Sequence, residues 1–447
     1  MRHIILGAGP AGVIAAETIR KHAPDDEIFL VGDEPEAPYS RMAIPYLLIG
    51  NIAEGGTHLR HTGDHYERLR ILLKRNRAVA VDVAAKTVTM DDDSVHAYDR
   101  LLIATGSSPA TPPIPGIAGD GVHACWTLAD ARAIMALAKP GARVIQMGAG
   151  FIGCIIMEAL ATRGVKLSVV EMGDRMVPRM MGPVAGGMIK HWCEQKHVHV
   201  HTGAKVVAIE RPGHPPQGLI GKLAGAVGLG GGDGSQPEAP MLVKLSTGET
   251  LPADLVISAT GVKPNIGFLK DSGVKCLQGV LTDEHLQTSA PDVYAAGDCA
   301  EAWDKVSGRA IVSAIQPNAA DQARVAALNM VGQRAELRGV TQINVLDTLG
   351  LISASFGNWE GVPGGQHVAL TDRDGWRHLS LQFSGDTLVG CNAIGWTEHV
   401  GVMRGLVEGA VKLGPWKDKL MADPTLLMEA YLDAAQAQGA HALVKPA

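Results

Sequence analysis

Two stretches of the chain share one hydrophobic rhythm. In RHIILGAGPAGVIAAETIRKH the apolar run Ile4, Ile5, Leu6 meets a glycine-rich turn. A helical stretch follows, then a second apolar run, EIFLVGDE. In ARVIQMGAGFIGCIIMEALATRGVKLSVVEMGDR the same order returns. Short apolar runs bounded by turn residues predict strands buried on both faces of a parallel sheet. Elsewhere the rhythm changes. AVAVDVAAKTVTMDDDSVHAYD alternates like a hairpin with an acidic turn at Asp91 to Asp93, and QPNAADQARVAALNMVG predicts a helix entered through Pro317 and Asn318. From about residue 335, INVLDTLGLISASFGN, QHVALTDR, WRHLSLQFS and TLVGCNAIGW predict strands, and helices are expected near 399–413 and 424–437. Residues 213–240 are rich in glycine and proline with an apolar patch, Leu219 to Leu229; the spacing predicts a loop, with a partner-docking element as the alternative.

Both turns carry G-x-G-x-x-G between strand and helix, the context that dinucleotide recognition requires. Gly7 permits the tight turn, Gly9 lets backbone approach a pyrophosphate, and Gly12 lets helix and strand pack closely, with Pro10 and Ala11 between. Gly148, Gly150 and Gly153 repeat the pattern around Phe151 and Ile152. The pyrophosphate would rest on the helix N-terminus, where free N–H groups favour anions. Asp33, with Glu34 as second choice, ends the strand after the first turn and can accept from ribose hydroxyls. Glu171 ends the strand after the second, which favours NAD over NADP; Arg175 and Arg179 close behind soften that preference.

Three further motifs decide the class. DRLLIATGSSP and DLVISATGVKPN each place a strand before Ala-Thr-Gly (Ala104-Thr105-Gly106 and Ala259-Thr260-Gly261), and APDVYAAGDCAEAW ends a strand in Gly297-Asp298. With these in order over about residues 1–330, the chain resembles the FAD-dependent pyridine-nucleotide oxidoreductases with two dinucleotide-binding domains. The resemblance implies an α/β fold: two Rossmann-like domains, the NAD domain inserted in the FAD domain, plus a small α+β C-terminal domain. The expected boundaries are 1–112 and 261–332 for FAD, 113–260 for NAD(H), and 335–447 for an interface or dimerisation domain. It implies FAD at the first fingerprint, with Asp298 toward the ribityl chain and the helix at Asn318 near the flavin pyrimidine. NAD(H) as co-substrate falls at the second, with Phe151 as an aromatic gate over the nicotinamide.

PYSRMAIPYLLIG, residues 38–50, would pass under the flavin, with Arg41 and Pro45 against it. Disulfide- and peroxide-reducing relatives carry a redox cysteine where Met42 stands. Ferredoxin- and rubredoxin-reductase-like relatives often carry a lysine near Tyr46 paired with a glutamate near Ile155; both are absent together here. The C-terminal His-Pro setting of disulfide reductases is missing too, and His378 and His399 are read as surface residues. The flavin modules of nitrite-reductase-like proteins, with PYSR before PYLL, are nearest in character.

Composition narrows the partners. The chain has 447 residues and net charge −6, without long runs of one charge, so neither nucleic acid nor an anionic membrane surface is indicated. Six cysteines lack C-x-x-C or metal-ligand spacing, so buried, reduced thiols of a cytoplasmic protein are expected, and no metal. No secretory signal is read at the N-terminus. The apolar stretch 144–161 holds Gln146, Glu158 and three glycines, and is read as buried strand and helix rather than a membrane span. Trp359, Trp376, Trp396 and Trp416 are core or interface residues of the C-terminal domain.

The resulting expectation is an electron-transfer enzyme moving hydride between NAD(H) and FAD, and single electrons to or from an iron–sulfur protein, rubredoxin or ferredoxin. It would be a homo- or hetero-oligomer, with the flavin subunit of a larger complex of the nitrite-reductase or tungsten/molybdenum aldehyde-oxidoreductase type as one form of it. The alternatives are a self-sufficient NADH oxidase or small-molecule reductase, and a non-catalytic flavoprotein sensor or scaffold.

Overall fold

The computed structural model describes residues 1–212, 239–396 and 398–434. Most of the glycine- and proline-rich segment 213–240 lies outside the described residues. Two five-stranded parallel sheets carry the two fingerprints. The first runs in the order Val293–Ala295, Arg100–Ile103, Arg2–Leu6, Glu27–Gly32, Ile71–Arg75. The second runs Val122–His123, Leu255–Ser258, Arg143–Met147, Lys166–Glu171, His199–Thr202. In each, the fingerprint strand lies centrally beside the strand that ends in Ala-Thr-Gly, so both motifs meet at one sheet edge. This is the carboxyl end of the strands, where open α/β sheets bind ligands. Ile4, Ile5 and Leu6 are all at most 1% exposed, as the unbroken apolar run predicts.

The chain crosses between the sheets through a two-stranded antiparallel link, Ser107–Pro109 with Val262–Pro264. Thr105 Oγ1 donates to the Asn265 carbonyl at 2.7 Å, and Ala110 N donates to the Gly261 carbonyl at 2.8 Å, tying the two Ala-Thr-Gly turns together. Two arginines of the inserted part reach across. Arg132, on the helix Leu128–Leu137, pairs with Glu36 (2.9 Å) and Glu54 (2.6 Å), and Arg163 donates to the Leu48 carbonyl at 2.8 Å.

The expected hairpin of 78–97 gains a third strand: Ala78–Asp82, Thr87–Met90 and Val95–Ala97 form one antiparallel sheet. The C-terminal region is a five-stranded antiparallel sheet, Ile343–Thr348, Leu351–Gly357, Thr387–Ile394, Arg377–Ser384, Gln366–Asp372 in spatial order. Phe356, Leu381, Phe383, Met403, Leu406 and Leu420 form the core between one face and its helices. The other face packs on the inserted domain, where Asn392 accepts from Gly182 N (2.8 Å) and donates to the Met180 carbonyl (2.9 Å). The first C-terminal helix is shorter than expected, Val400–Glu408, because glycine follows it, and Pro415 opens a helix that spacing missed, Pro415–Ala422. Residues 427–434 are helical as expected. Trp359, Trp376, Trp396 and Trp416 are all half-buried. Trp376 stacks on His191 and meets Trp192 edge-on at 4.9 Å, so it seals the contact with the inserted domain. His378 overturns its surface reading: it is 5% exposed, on the face of its strand opposite Leu379, Leu381 and Phe383, with Nδ1 2.8 Å from the Thr371 hydroxyl.

Candidate active site

The two glycine turns repeat one geometry. Gly7 has φ +115°, and a Cβ there would lie 2.0 Å from the Ala104 carbonyl oxygen; Gly148 has φ +97°, with 2.4 Å to the Ala259 carbonyl oxygen. A Cβ on Gly12 would lie 1.8 Å from the Gly7 carbonyl, and on Gly153 2.5 Å from that of Gly148. The middle glycines differ. A Cβ on Gly9 or Gly150 would meet nothing within 4 Å. The outer glycines therefore answer to the protein's own packing, while the middle ones border open space at the N-termini of the helices Pro10–His22 and Phe151–Thr162. Neither helix has a side-chain cap, so those N–H groups remain free for an anion.

One cleft joins the first turn to the second helix. Gly7, Gly9, Pro10, Ala11, Asp33, Glu34, Arg41, Met42 and Pro45 line it from the first domain, with Ala104, Thr105, Gly106, Gly297 and Asp298, and Phe151 and Ile152 from the second. Gly12 stays outside, as its packing role requires. Met42 is 47% exposed on the cleft wall and Tyr46 is 56% exposed. Met42, Pro45, Phe151, Ile152, Ile155 and Ile156 make an apolar stretch of wall.

Polar groups concentrate elsewhere on the wall. Asp298 accepts from the Ser107 hydroxyl at 3.1 Å; burial raises its pKa above the usual carboxylate value, although Ser107 and Arg41 oppose this. Gly297 has φ +82° and its N–H donates to Gln322 Oε1 at 2.7 Å, so the buried Gln322 of the helix Gln316–Met330 holds this turn in place. Gln316 and Ala319, in the first turn of that helix, also line the cleft.

The structure separates Asp33 from Glu34. Both oxygens of Glu34 are engaged, by Arg41 at 2.6 Å and the Tyr39 hydroxyl at 2.5 Å, whereas Asp33 is exposed at the cleft. Arg41 is a wall residue held by Glu34, Tyr39 and the Trp126 carbonyl. Asn318 faces away from the cleft: its Nδ2 donates to the Ser313 hydroxyl (2.7 Å) and the Thr341 carbonyl (3.2 Å), tying the helix to the chain ahead of the C-terminal domain. At the second fingerprint Glu171 accepts from Ala149 N and Gly173 N, each at 2.7 Å, which orients its carboxylate beside the Gly148–Gly150 turn. Thr260 Oγ1 donates to the Ala110 carbonyl at 3.1 Å, and a Cβ on Gly261, φ +109°, would meet open space.

Sequence reasoning missed Trp126, Ser107, Tyr39 and Cys125, all of which line the cleft. Tyr39 lies in the stretch 38–50 already expected under the flavin but is not singled out there; Ser107, Cys125 and Trp126 arrive from the crossover and the loop after it, which no local spacing marks. Cys125 is no substitute for a redox thiol, since burial, with the charge of Asp130, pushes its pKa up to about 12. All six cysteines are free, five of them buried.

This site suits a dinucleotide flavin: an open glycine turn on a free helix N-terminus, an exposed carboxylate at the next strand end, a half-buried Asp298 across the cleft, and an apolar wall. The second turn offers a nicotinamide dinucleotide an open glycine turn on a free helix N-terminus and the half-buried Glu171 carboxylate, and its helix supplies the shared wall. The fold and cleft together define an FAD- and NAD(H)-dependent oxidoreductase. The chain belongs to the pyridine nucleotide-disulphide oxidoreductase family, whose profile matches residues 1–326. It is 30% identical over 427 residues, 95% of each chain, to the epsilon subunit of the NADH-dependent phenylglyoxylate dehydrogenase of Aromatoleum evansii. It is 32% identical over 418 residues, 88% of each chain, to an NADH oxidase of Methanocaldococcus jannaschii. Putidaredoxin reductase in its covalent complex with putidaredoxin shares the fold, with TM-score 0.84 and 23% identity over 97% of this chain and 99% of that one.

Proposed function

We propose that this chain carries electrons between NAD(H) and a one-electron protein partner such as an iron–sulfur protein, as the flavin subunit of a larger redox complex. The observation that carries this reading is the chemistry of the cleft wall. Met42 lines the cleft where, by the resemblance, disulfide-reducing relatives carry their redox cysteine, and the one cysteine among the described residues lining the cleft is held as a thiol. When bound, the flavin would accept hydride from the nicotinamide and release electrons singly.

The chain's own residues position and shield. In this reading Gly7, Gly9, Pro10 and Ala11 receive the FAD pyrophosphate, Asp33 the ribose, and Ala104, Thr105, Gly106, Gly297 and Asp298 the ribityl side. Arg41, Met42 and Pro45 border the ring. Gly148, Gly150, Ile152 and Glu171 hold NAD(H), with Ala259, Thr260 and Gly261 beside them. Phe151 covers the approach to the ring and keeps water from it. Asn318 drops out as a direct FAD contact. A complex subunit is supported by the 30% identity to a subunit of that kind over nearly the whole chain. The C-terminal domain is the proposed interface. The unpaired cysteines suit a cytoplasmic setting.

The test is anaerobic rapid mixing. NADH should bleach the flavin within the turnover time, and a one-electron dye should reoxidise it much faster than oxygen does. Fast reoxidation by oxygen would instead favour an NADH oxidase, the second reading, which the 32%-identical relative of that name supports.

A further inference from the structure

We propose that Trp126 is a clasp that retains FAD by closing a belt of hydrogen bonds across the cleft; this rests on the assignment of the cleft to FAD. The belt begins at Glu34, whose carboxylate holds Arg41 at 2.6 Å. Arg41 Nη1 donates to the Trp126 carbonyl at 2.7 Å. The Trp126 indole N–H donates to the Ser107 carbonyl at 3.1 Å, and the Ser107 hydroxyl donates to Asp298 at 3.1 Å. All five residues line the cleft. The belt therefore runs from the loop after the second strand of the first sheet, through the entry to the inserted domain, to the Gly-Asp turn.

Trp126 is held as a rigid part. The Arg41 guanidinium carbon lies 5.4 Å from its ring centre and 5.6 Å from that of Tyr39, so the cation sits against two aromatic faces. Trp126 N donates to Asp130 at 3.0 Å, which anchors its backbone to the capping box of the helix Leu128–Leu137. Just before it, Cys125 takes a left-handed conformation, φ +55°, unusual for a side chain of its size. That residue reverses the chain into the cleft. A long ligand reaching from Asp33 to the Phe151 wall must share the cleft with this belt, so leaving requires the contact of the Trp126 indole with Arg41 and Ser107 to open. The contact joins the two domains, so flavin retention is coupled to their relative position.

The experiment loads wild type and Trp126→Ala with FAD and follows release by the fluorescence of free flavin after dilution. The expected result is release about fivefold faster from Trp126→Ala, the scale of losing a partly exposed cation–aromatic contact. The KM for NADH should stay within about twofold, since the second fingerprint does not touch the belt. Trp126→Leu keeps bulk without the N–H or aromatic face; it should behave alike and serves if the alanine variant does not fold. Release at the wild-type rate from a folded, flavin-loaded variant overturns the clasp and leaves the FAD assignment standing. Wild type that binds no FAD overturns both.

Discussion

At the residue scale, the six fingerprint glycines do two separable jobs. Gly7→Ala places a methyl 2.0 Å from a backbone oxygen at φ +115°, so the fold itself must give way. Gly9→Ala, at φ −79° with open space beyond, leaves the apoprotein intact and obstructs the pyrophosphate. We expect Gly7→Ala to lose on the order of 3 kcal/mol or more of stability. Gly9→Ala should melt like wild type but carry little flavin. Thermal melts alongside the flavin absorbance distinguish the two; equal melting points would refute the division. At the second site, Glu171→Ala removes the proposed acceptor for the NAD ribose hydroxyl and the lock on Ala149 and Gly173. It should raise the KM for NADH about tenfold and relax discrimination against NADPH. An unchanged ratio of the two KM values would count against this role.

At the element scale, the strongest spacing signals were the most legible. Strand, turn, helix and strand appear where both fingerprints put them, because buried parallel strands must be apolar throughout and the turn demands glycine. The weaker signals failed in physical ways. Alternation in 78–97 was read as two strands and the structure pairs a third, since an antiparallel edge accepts any extended neighbour. The helix Leu128–Leu137 rests on a capping box, Thr127 with Asp130, that also anchors Trp126. Thr127→Ala should cost about 1 kcal/mol there. The expected consequence is roughly fivefold faster hydrogen exchange at the amides of 128–137, with exchange in the strand Arg2–Leu6 unaffected. Uniform acceleration through the molecule would mean that the helix does not open on its own.

At the scale of the whole molecule, the C-terminal sheet carries a pH dependence. Burial lowers the pKa of His378 to about 4, with the charge of Arg373 adding to the effect, against 6.5 when exposed. Below 6.5 the unfolded chain binds a proton that the folded chain refuses. The stability contributed by neutral His378 is therefore complete above pH 6.5 and is lost as pH falls toward 4. The loss should be roughly 3 kcal/mol. His378→Gln should flatten this acid limb, measured by denaturant unfolding at neutral and acid pH; a limb that keeps its slope would locate the titration elsewhere.

The chain's own pattern was enough to imply two dinucleotide sites and the carboxylates after them; which site takes FAD, and that relatives carry a cysteine where Met42 stands, followed from the resemblance. The sites and their carboxylates are local matters: backbone dihedrals, the room a Cβ needs and the period of burial are written within a few residues of each position. Three-dimensional packing alone settled the rest. It engaged Glu34 and left Asp33 at the cleft, turned Asn318 toward Thr341, and buried His378 in a strand that reads as half-polar. It also brought Trp126 to Arg41, 85 positions away in the chain. Such pairings follow from where whole domains come to rest against each other, and no local spacing encodes that.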